Sequence, residues 1–382
     1  MRDIVILGST GSIGLQALEL VDANPELFRV VGLSAGSGNL PLLFEQAKRF
    51  RVPVVGTTAS ADSCKQYSSD ISVIDGPLAS TQIASISCDV VLNGITGSIG
   101  LGPTLAALAS GNKVALANKE SLVAGGPLVT AFGHDRIIPV DSEHSAIFQA
   151  LLSGKRDEVK KFIITASGGA LRDKSDISAV TLDEVLAHPT WSMGPVVTIN
   201  SASLMNKGLE IIEAHHLFNV PYNQIEAIIH PQSVVHSMVE YFDGSTIAQL
   251  SPPNMKGPIG YALNYPHRLK KSTSPVDWSQ SHSWSFSPVD TVRFPAISLA
   301  RTAGEMGSLA TATLNAANEV AVSAFIDGRI RFIDIARTVE SVLTRVDKEG
   351  GARGEVRDLS DVSAVELNAR KIASDYIEEL TH

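Results

Sequence analysis

Aromatic side chains make up only 5% of the 382 residues, while hydrophobic residues of all kinds reach 44%. A chain rich in aliphatic and poor in aromatic residues suits an α/β protein better than a β-sandwich. Cysteine occurs twice, at Cys64 and Cys88, with neither CxxC nor metal-site spacing, so both read as reduced structural thiols of a cytoplasmic protein. Positive charge is also short. Thirty-one Lys and Arg stand against 40 Asp and Glu, a formal charge of −9. That excludes a general nucleic-acid footprint and requires a local site for any anionic substrate. No apolar run reaches the ~18 residues of a membrane span, so no membrane partner is expected. The N-terminus enters a strand-like run with no basic stretch ahead of an apolar one, so no signal peptide is expected. The length allows two or three domains, each with its own core.

What is present centres on Asp141-Ser142-Glu143-His144, at the end of the apolar run 136–140. Two carboxylates two residues apart share a face if the chain is extended. Buried together they repel unless a cation lies between them, and a hard divalent ion, Mg²⁺ or Mn²⁺, suits oxygen ligands. The alternative is a solvated loop in which Asp141 or Ser142 caps a helix over 144–152.

From the N-terminus, strand 4–7 runs into Gly8-Ser9-Thr10-Gly11-Ser12-Ile13-Gly14 and a helix over 15–21. Strand, glycine turn and helix is the context in which backbone N–H groups take a pyrophosphate, although the spacing is GxxGxxG rather than GxGxxG. A tight turn without ligand is the other reading. The second strand, 30–35, ends in Gly36-Ser37-Gly38-Asn39 with no acidic residue to hold a ribose 2′-hydroxyl, which favours NADP over NAD. Strands at 52–55, 72–74 and 89–92 follow. Residues 93–100, Asn-Gly-Ile-Thr-Gly-Ser-Ile-Gly, echo 8–14 and read as a second turn lining the same crevice. Strand 113–117 ends in Asn118-Lys119-Glu120, placing a lysine either at the ligand-binding crevice or in a solvated loop. With a helix at 121–129, this alternation predicts a doubly wound parallel sheet.

The pattern then changes. Strand 161–165 leads to Ala166-Ser167-Gly168-Gly169, a turn able to wrap an oxyanion. A short helix, 182–187, stops at His188-Pro189-Thr190-Trp191-Ser192-Met193-Gly194-Pro195, read as an apolar-tipped flap or as a proline-bounded packed loop. Ser201 or Ser203 could cap a helix carrying Asn206, Lys207 and Glu210 on one face. That face would hold phosphate and a third metal carboxylate, or would be a solvated Lys–Glu face. Glu213 lies on a neighbouring stripe and is a weaker candidate. His215-His216 reads as structural. Strands at 227–229, 234–241 and 246–250, the last two a hairpin, could supply a dimer contact. Residues near 265–290 read as a linker. Helical patterns over 312–326, 333–346 and 362–380 predict an all-helical C-terminal domain, with Asn315-Ala316-Ala317-Asn318-Glu319 as a packing or capping patch.

These motifs, with His230-Pro231-Gln232-Ser233-Val234-Val235-His236, resemble in order and spacing the 1-deoxy-D-xylulose 5-phosphate reductoisomerases, over essentially the whole chain. The chain departs from the usual family pattern at Ala35-Gly36-Ser37-Gly38-Asn39. The resemblance implies a Rossmann-like NADPH-binding domain (1–141), an α+β catalytic and dimerisation domain (142–264), a linker (265–290) and a helical domain (291–382), in a homodimer. It implies Asp141, Glu143 and Glu210 as ligands of Mg²⁺ or Mn²⁺, with Lys119 and Ser142 on the substrate backbone. Ser167, His188, Ser201, Asn206 and Lys207 would hold a sugar phosphate under Trp191 and Met193. Thr10, Gly11, Ser12, Ile13, Gly36, Asn39, Asn118, Glu120 and Gly194 would contact NADPH. The implied reaction rearranges 1-deoxy-D-xylulose 5-phosphate by a retro-aldol/aldol route and then reduces it. A ketol-acid reductoisomerase and a non-catalytic NADPH-binding regulator are the other readings carried forward.

Overall fold

Ile4, Val5, Ile6 and Leu7 are all fully buried, as a strand covered on both faces requires. The computed structural model describes residues 1–67, 70–191 and 193–381, the last of these without its side chain. Two compact units divide the chain. One comprises Met1–Ser121, Val129–Ser145 and Asn254–Ser274; the other comprises Leu122–Leu128, Ala146–Pro253 and Pro275–His382.

The first unit holds β1 (Arg2–Leu7), β2 (Phe28–Ala35), β3 (Val54–Thr57), β4 (Ser72–Asp75), β5 (Val90–Asn93), β6 (Lys113–Leu116) and β7 (Ile137–Pro139). They form one sheet in the order β4-β3-β2-β1-β5-β6-β7, with every pairing parallel. The order reverses between β1 and β5, and ligands of such sheets bind at the carboxyl ends beside that reversal. The expected doubly wound sheet is present.

The helix Lys256–Asn264 also belongs to this unit. Lys256 pairs with Glu19 at 2.5 Å, and Arg2 donates to the Leu263 carbonyl at 3.1 Å. Residues 254–264 therefore do not follow the linear division at 264. Nothing local marks the return, because the helix is specified by the distant surface it covers.

The second unit is built on β8 (Val159–Ala166), β9 (Ile225–Ile229), β10 (Val235–Tyr241), β11 (Thr246–Leu250) and β12 (Ser287–Pro288). Their order is β11-β10-β8-β9-β12; β8 and β9 run parallel and the other neighbours antiparallel. Four helices follow, Ala296–Met306, Ser308–Ile326, Phe332–Lys348 and Leu359–Thr381. They share a single core with the sheet, in which Phe162, Ile164 and Val239 join Leu314, Ile335 and Ile377.

The first of those helices was not foreseen in the sequence. Its buried face, Ala296, Ile297, Ala300 and Ala303, recurs at helical spacing, but it is built mostly of alanine and follows directly on the strap. Those alanines let it lie against Gly208, where an added Cβ would stand 2.8 Å from the Ala300 Cβ. The strap 265–290 is not structureless either, since β12 pairs with β9.

Candidate active site

At the carboxyl end of β1 the chain turns at Gly8 (φ +76°) into the helix Ser12–Asp22. A Cβ on Gly14 would stand 2.4 Å from the Gly8 carbonyl, and one on Gly8 would stand 2.8 Å from that of Gly94. Both positions require glycine, and the second contact shows that the two look-alike turns lie side by side across the β1–β5 reversal. Thr10 and Ile13 are half-buried, and Gly11 and Ser12 are exposed at a helix start with no side-chain cap; the Gly11 N–H donates to the Gly8 carbonyl at 3.0 Å, and the positive end of the helix that follows suits an anion. Gly36 and Asn39 are exposed at the end of β2, where the Asn39 Oδ1 caps the helix Leu40–Arg49 by accepting from Leu42 N–H at 3.2 Å.

Asn118 is buried and braces the second turn: its amide donates to the Ile95 and Gly97 carbonyls at 2.8 Å each and to Glu120 at 2.9 Å. Lys119 follows and forms an ion pair with Asp141 at 2.7 Å, both side chains largely buried. The solvated-loop alternative for this lysine is overturned. Burial pushes the Asp141 carboxyl up, but the Lys119 ammonium and His144 outweigh it and hold the group well below the ordinary range.

The extended geometry assumed for Asp141 and Glu143 does not occur. The helix Ser142–Ala150 begins at once, putting Glu143 in its first turn, where a negative charge meets the positive end of the dipole. Ser142 is buried and donates to Glu143 at 2.5 Å.

In the second unit β8 ends at Ser167-Gly168-Gly169, with both glycines at positive φ. A Cβ on Gly169 would stand 2.6 Å from Ala202 Cα, so this turn packs against the end of the helix Pro195–Ala202. Ser201 lies within that helix rather than capping the next one. The next helix, Met205–Phe218, starts instead after Leu204 in the left-handed region at φ +59°. Ser203 contributes a hydroxyl 3.4 Å from Met205 N–H.

On that helix Asn206 and Lys207 both contact Glu210. Lys207 is 3% exposed and Glu210 1%, so the solvated-face alternative fails. Glu213, rated weaker from sequence, is fully buried. His215 stacks on Tyr222 at 4.3 Å, the structural role expected of it.

His188 connects flap and turn. Its Nδ1 accepts from the N–H groups of Thr190 (3.1 Å) and Trp191 (2.9 Å), so the proton sits on Nε2, 3.0 Å from Ser167 Oγ. Burial, reinforced by Arg172, lowers its pKa. Trp191 and Met193 are half-buried, and Gly194 precedes the helix Pro195–Ala202. Ser192 of the flap lies outside the described residues.

Three family models match the chain. One described as 1-deoxy-D-xylulose 5-phosphate reductoisomerase covers residues 4–126, the C-terminal domain of that enzyme 137–218, and a DXP reductoisomerase C-terminal domain 250–372. A 1-deoxy-D-xylulose 5-phosphate reductoisomerase from Paenarthrobacter aurescens is 56% identical over 90% of this chain and 91% of its own. This chain belongs to the 1-deoxy-D-xylulose 5-phosphate reductoisomerase family. A member from Streptomyces coelicolor is 50% identical over 97% of this chain and 91% of its own. Among solved members of the family, a crystal structure of DOX-P reductoisomerase in complex with NADPH, fosmidomycin and magnesium is 38% identical, with TM-score 0.93 over 100% of both chains. The Zymomonas mobilis enzyme in complex with NADPH is 38% identical, with TM-score 0.90 over 99% of both.

Arg172 was not singled out in the sequence. It donates to the Ser167 carbonyl at 3.1 Å and acts on His188, yet an arginine five residues past a serine carries no local signal of either.

Proposed function

We propose that this chain catalyses the NADPH- and divalent-metal-dependent conversion of 1-deoxy-D-xylulose 5-phosphate to 2-C-methyl-D-erythritol 4-phosphate, a step toward isoprenoid precursors. The observation that carries the reading is a pair of buried lysine–carboxylate contacts, Lys119 with Asp141 and Lys207 with Glu210. Buried ions of this kind are expensive to keep for stability alone. They fall on residues for which the family resemblance implies substrate and metal binding.

Asp141, Glu143 and Glu210 would hold the cation, and their all-oxygen donor set fits Mg²⁺ or Mn²⁺. Thr10, Gly11, Ser12, Ile13, Gly36, Asn39, Asn118, Glu120 and Gly194 would contact NADPH. When bound, the cation polarises the ketone and offsets enolate charge, and NADPH delivers the hydride. Lys119 and Ser142 orient the sugar backbone through the retro-aldol/aldol rearrangement. Ser167, Ser201, Asn206 and Lys207 take the phosphate, with His188 donating from Nε2. Trp191 and Met193 close over the substrate and exclude water. Residues 1–141 supply most of the cofactor contacts together with Lys119 and Asp141, and 142–253 most of the groups for the chemistry, in a cytoplasmic homodimer.

The test is NADPH oxidation followed by absorbance, with the sugar phosphate and with Mg²⁺ or Mn²⁺ restored after chelation. Oxidation that requires both ligands is the expected result. A folded protein that binds NADPH but never oxidises it would favour the regulator reading. Oxidation with 2-acetolactate alone would favour the ketol-acid reading, which family membership opposes.

A further inference from the structure

His230 has no exposed surface, and both ring nitrogens are engaged. Its Nε2 lies 3.1 Å from the backbone nitrogens of both Val234 and Val235. Only an unprotonated nitrogen can accept two N–H groups, so the ring proton is on Nδ1 and is donated to the Ser285 carbonyl at 3.0 Å. The ring stacks on Phe286 with centroids 4.6 Å apart and planes within 15°. Gln232 closes the same clamp from outside, its Nε2 3.0 Å from Ser285 Oγ. The turn so held is strained, with Ser233 at φ +52°.

Two neighbours give that turn a purpose. The His230 N–H donates to the Ala166 carbonyl at 2.7 Å, immediately before Ser167. On the other side, the flap rests on the turn twice. Thr190 Oγ1 donates to the Pro231 carbonyl at 3.3 Å, and the Trp191 ring lies 6.2 Å from that of His236.

We propose that His230, clamped by Ser285 and Phe286 of the strap, is a positioning residue that builds the seat on which the 188–194 flap closes. It touches no reacting atom. It holds the Val234 and Val235 amides so that the Pro231 carbonyl and the His236 ring face the flap. The strap is then part of the active-site support and not a passive connection. The inference rests on the flap reading given above.

The test compares His230→Gln, His230→Phe, Thr190→Val and the double variant His230→Phe/Thr190→Val in the NADPH-oxidation assay. Glutamine places an acceptor where Nε2 stood, while phenylalanine keeps the ring and its stacking but accepts nothing. Expected for His230→Phe is a rise in KM for the sugar phosphate of about tenfold, as two backbone amides lose their acceptor. His230→Gln should stay within about twofold of the parent, and NADPH affinity should hold throughout. Thr190→Val should raise the same KM, and the double variant should be no worse than His230→Phe alone, because both remove one support.

An unchanged KM in His230→Phe would overturn the inference. So would a phenylalanine variant that outperforms glutamine, which would mean that the ring only fills space. Additive effects in the double variant would count against it too, since they would separate the turn from the flap. Absence of turnover in the parent protein is a different result, and it removes the functional reading instead.

Discussion

His188 is a neutral ring by construction, because two backbone N–H groups point at Nδ1 and a third proton there would have to displace them. Its pKa lies below the ordinary 6.5 in the folded chain through burial and then Arg172. The unfolded chain therefore binds the extra proton more readily. The stability this residue contributes is complete above pH 6.5 and drains away as pH falls toward the lower folded value. In chemical denaturation of the unliganded protein between pH 7.5 and 5, the parent should lose stability faster than His188→Leu; parallel curves would refute the assignment.

Glu210 gives a second prediction at this scale. Glu210→Gln keeps the shape but removes the charge that Lys207 faces. Turnover should fall by at least about 100-fold, the scale of losing one electrostatic group in a closed site, while NADPH affinity stays unchanged. Weakened NADPH binding in that variant would argue that Glu210 serves the cofactor or the fold instead.

At the scale of elements, the two glycine turns depend on close backbone approach. Gly14→Ala would drive a methyl to 2.4 Å from the Gly8 carbonyl, and backbone cannot yield as a flexible side chain can. NADPH affinity should drop by an order of magnitude or more, read by fluorescence titration, since a misplaced helix start loses several phosphate contacts together. Gly169→Ala, which clashes with Ala202 and has φ +67°, should instead raise KM for the sugar phosphate and leave NADPH binding intact. If the two variants gave the same profile, the division of labour between these turns would be wrong.

The first turn was readable because strand, glycine and helix signals follow one another without a break over residues 4–21. The capping of the helix Met205–Phe218 was not. Its start is set by Leu204 in a left-handed conformation, a backbone state no leucine advertises, while the nearby serines that look like caps belong to the preceding helix and its end.

For the whole molecule, among the described residues no helix is long and apolar enough to cross a membrane. Light scattering behind a sizing column should give about twice the 40.5 kDa chain mass; a mass near one chain would remove the homodimer from the functional proposal. The sheet order was legible as a class, because regular alternation of strands and helices leaves few alternatives to a parallel sheet. The shared core of the C-terminal helices and the β8–β11 sheet was not, because an alanine-rich helix such as Ser308–Ile326 is buried nearly all round and its periodicity does not name what covers it.

The sequence by itself determined the strand–turn–helix units, since each depends on residues within a turn or two of one another; the candidate ligand set, with Glu210 far along the chain from Asp141, came from the order and spacing of motifs over the whole chain. Tertiary structure decided which of those groups are buried. A Lys–Glu pair three residues apart looks the same on a wet face as in a dry interior; the fold alone leaves Lys207 and Glu210 buried. It also joined His230 to Ser285, 55 residues away. Desolvation and such distant hydrogen bonds are set by what folds over a residue, and no local pattern in the chain contains that information.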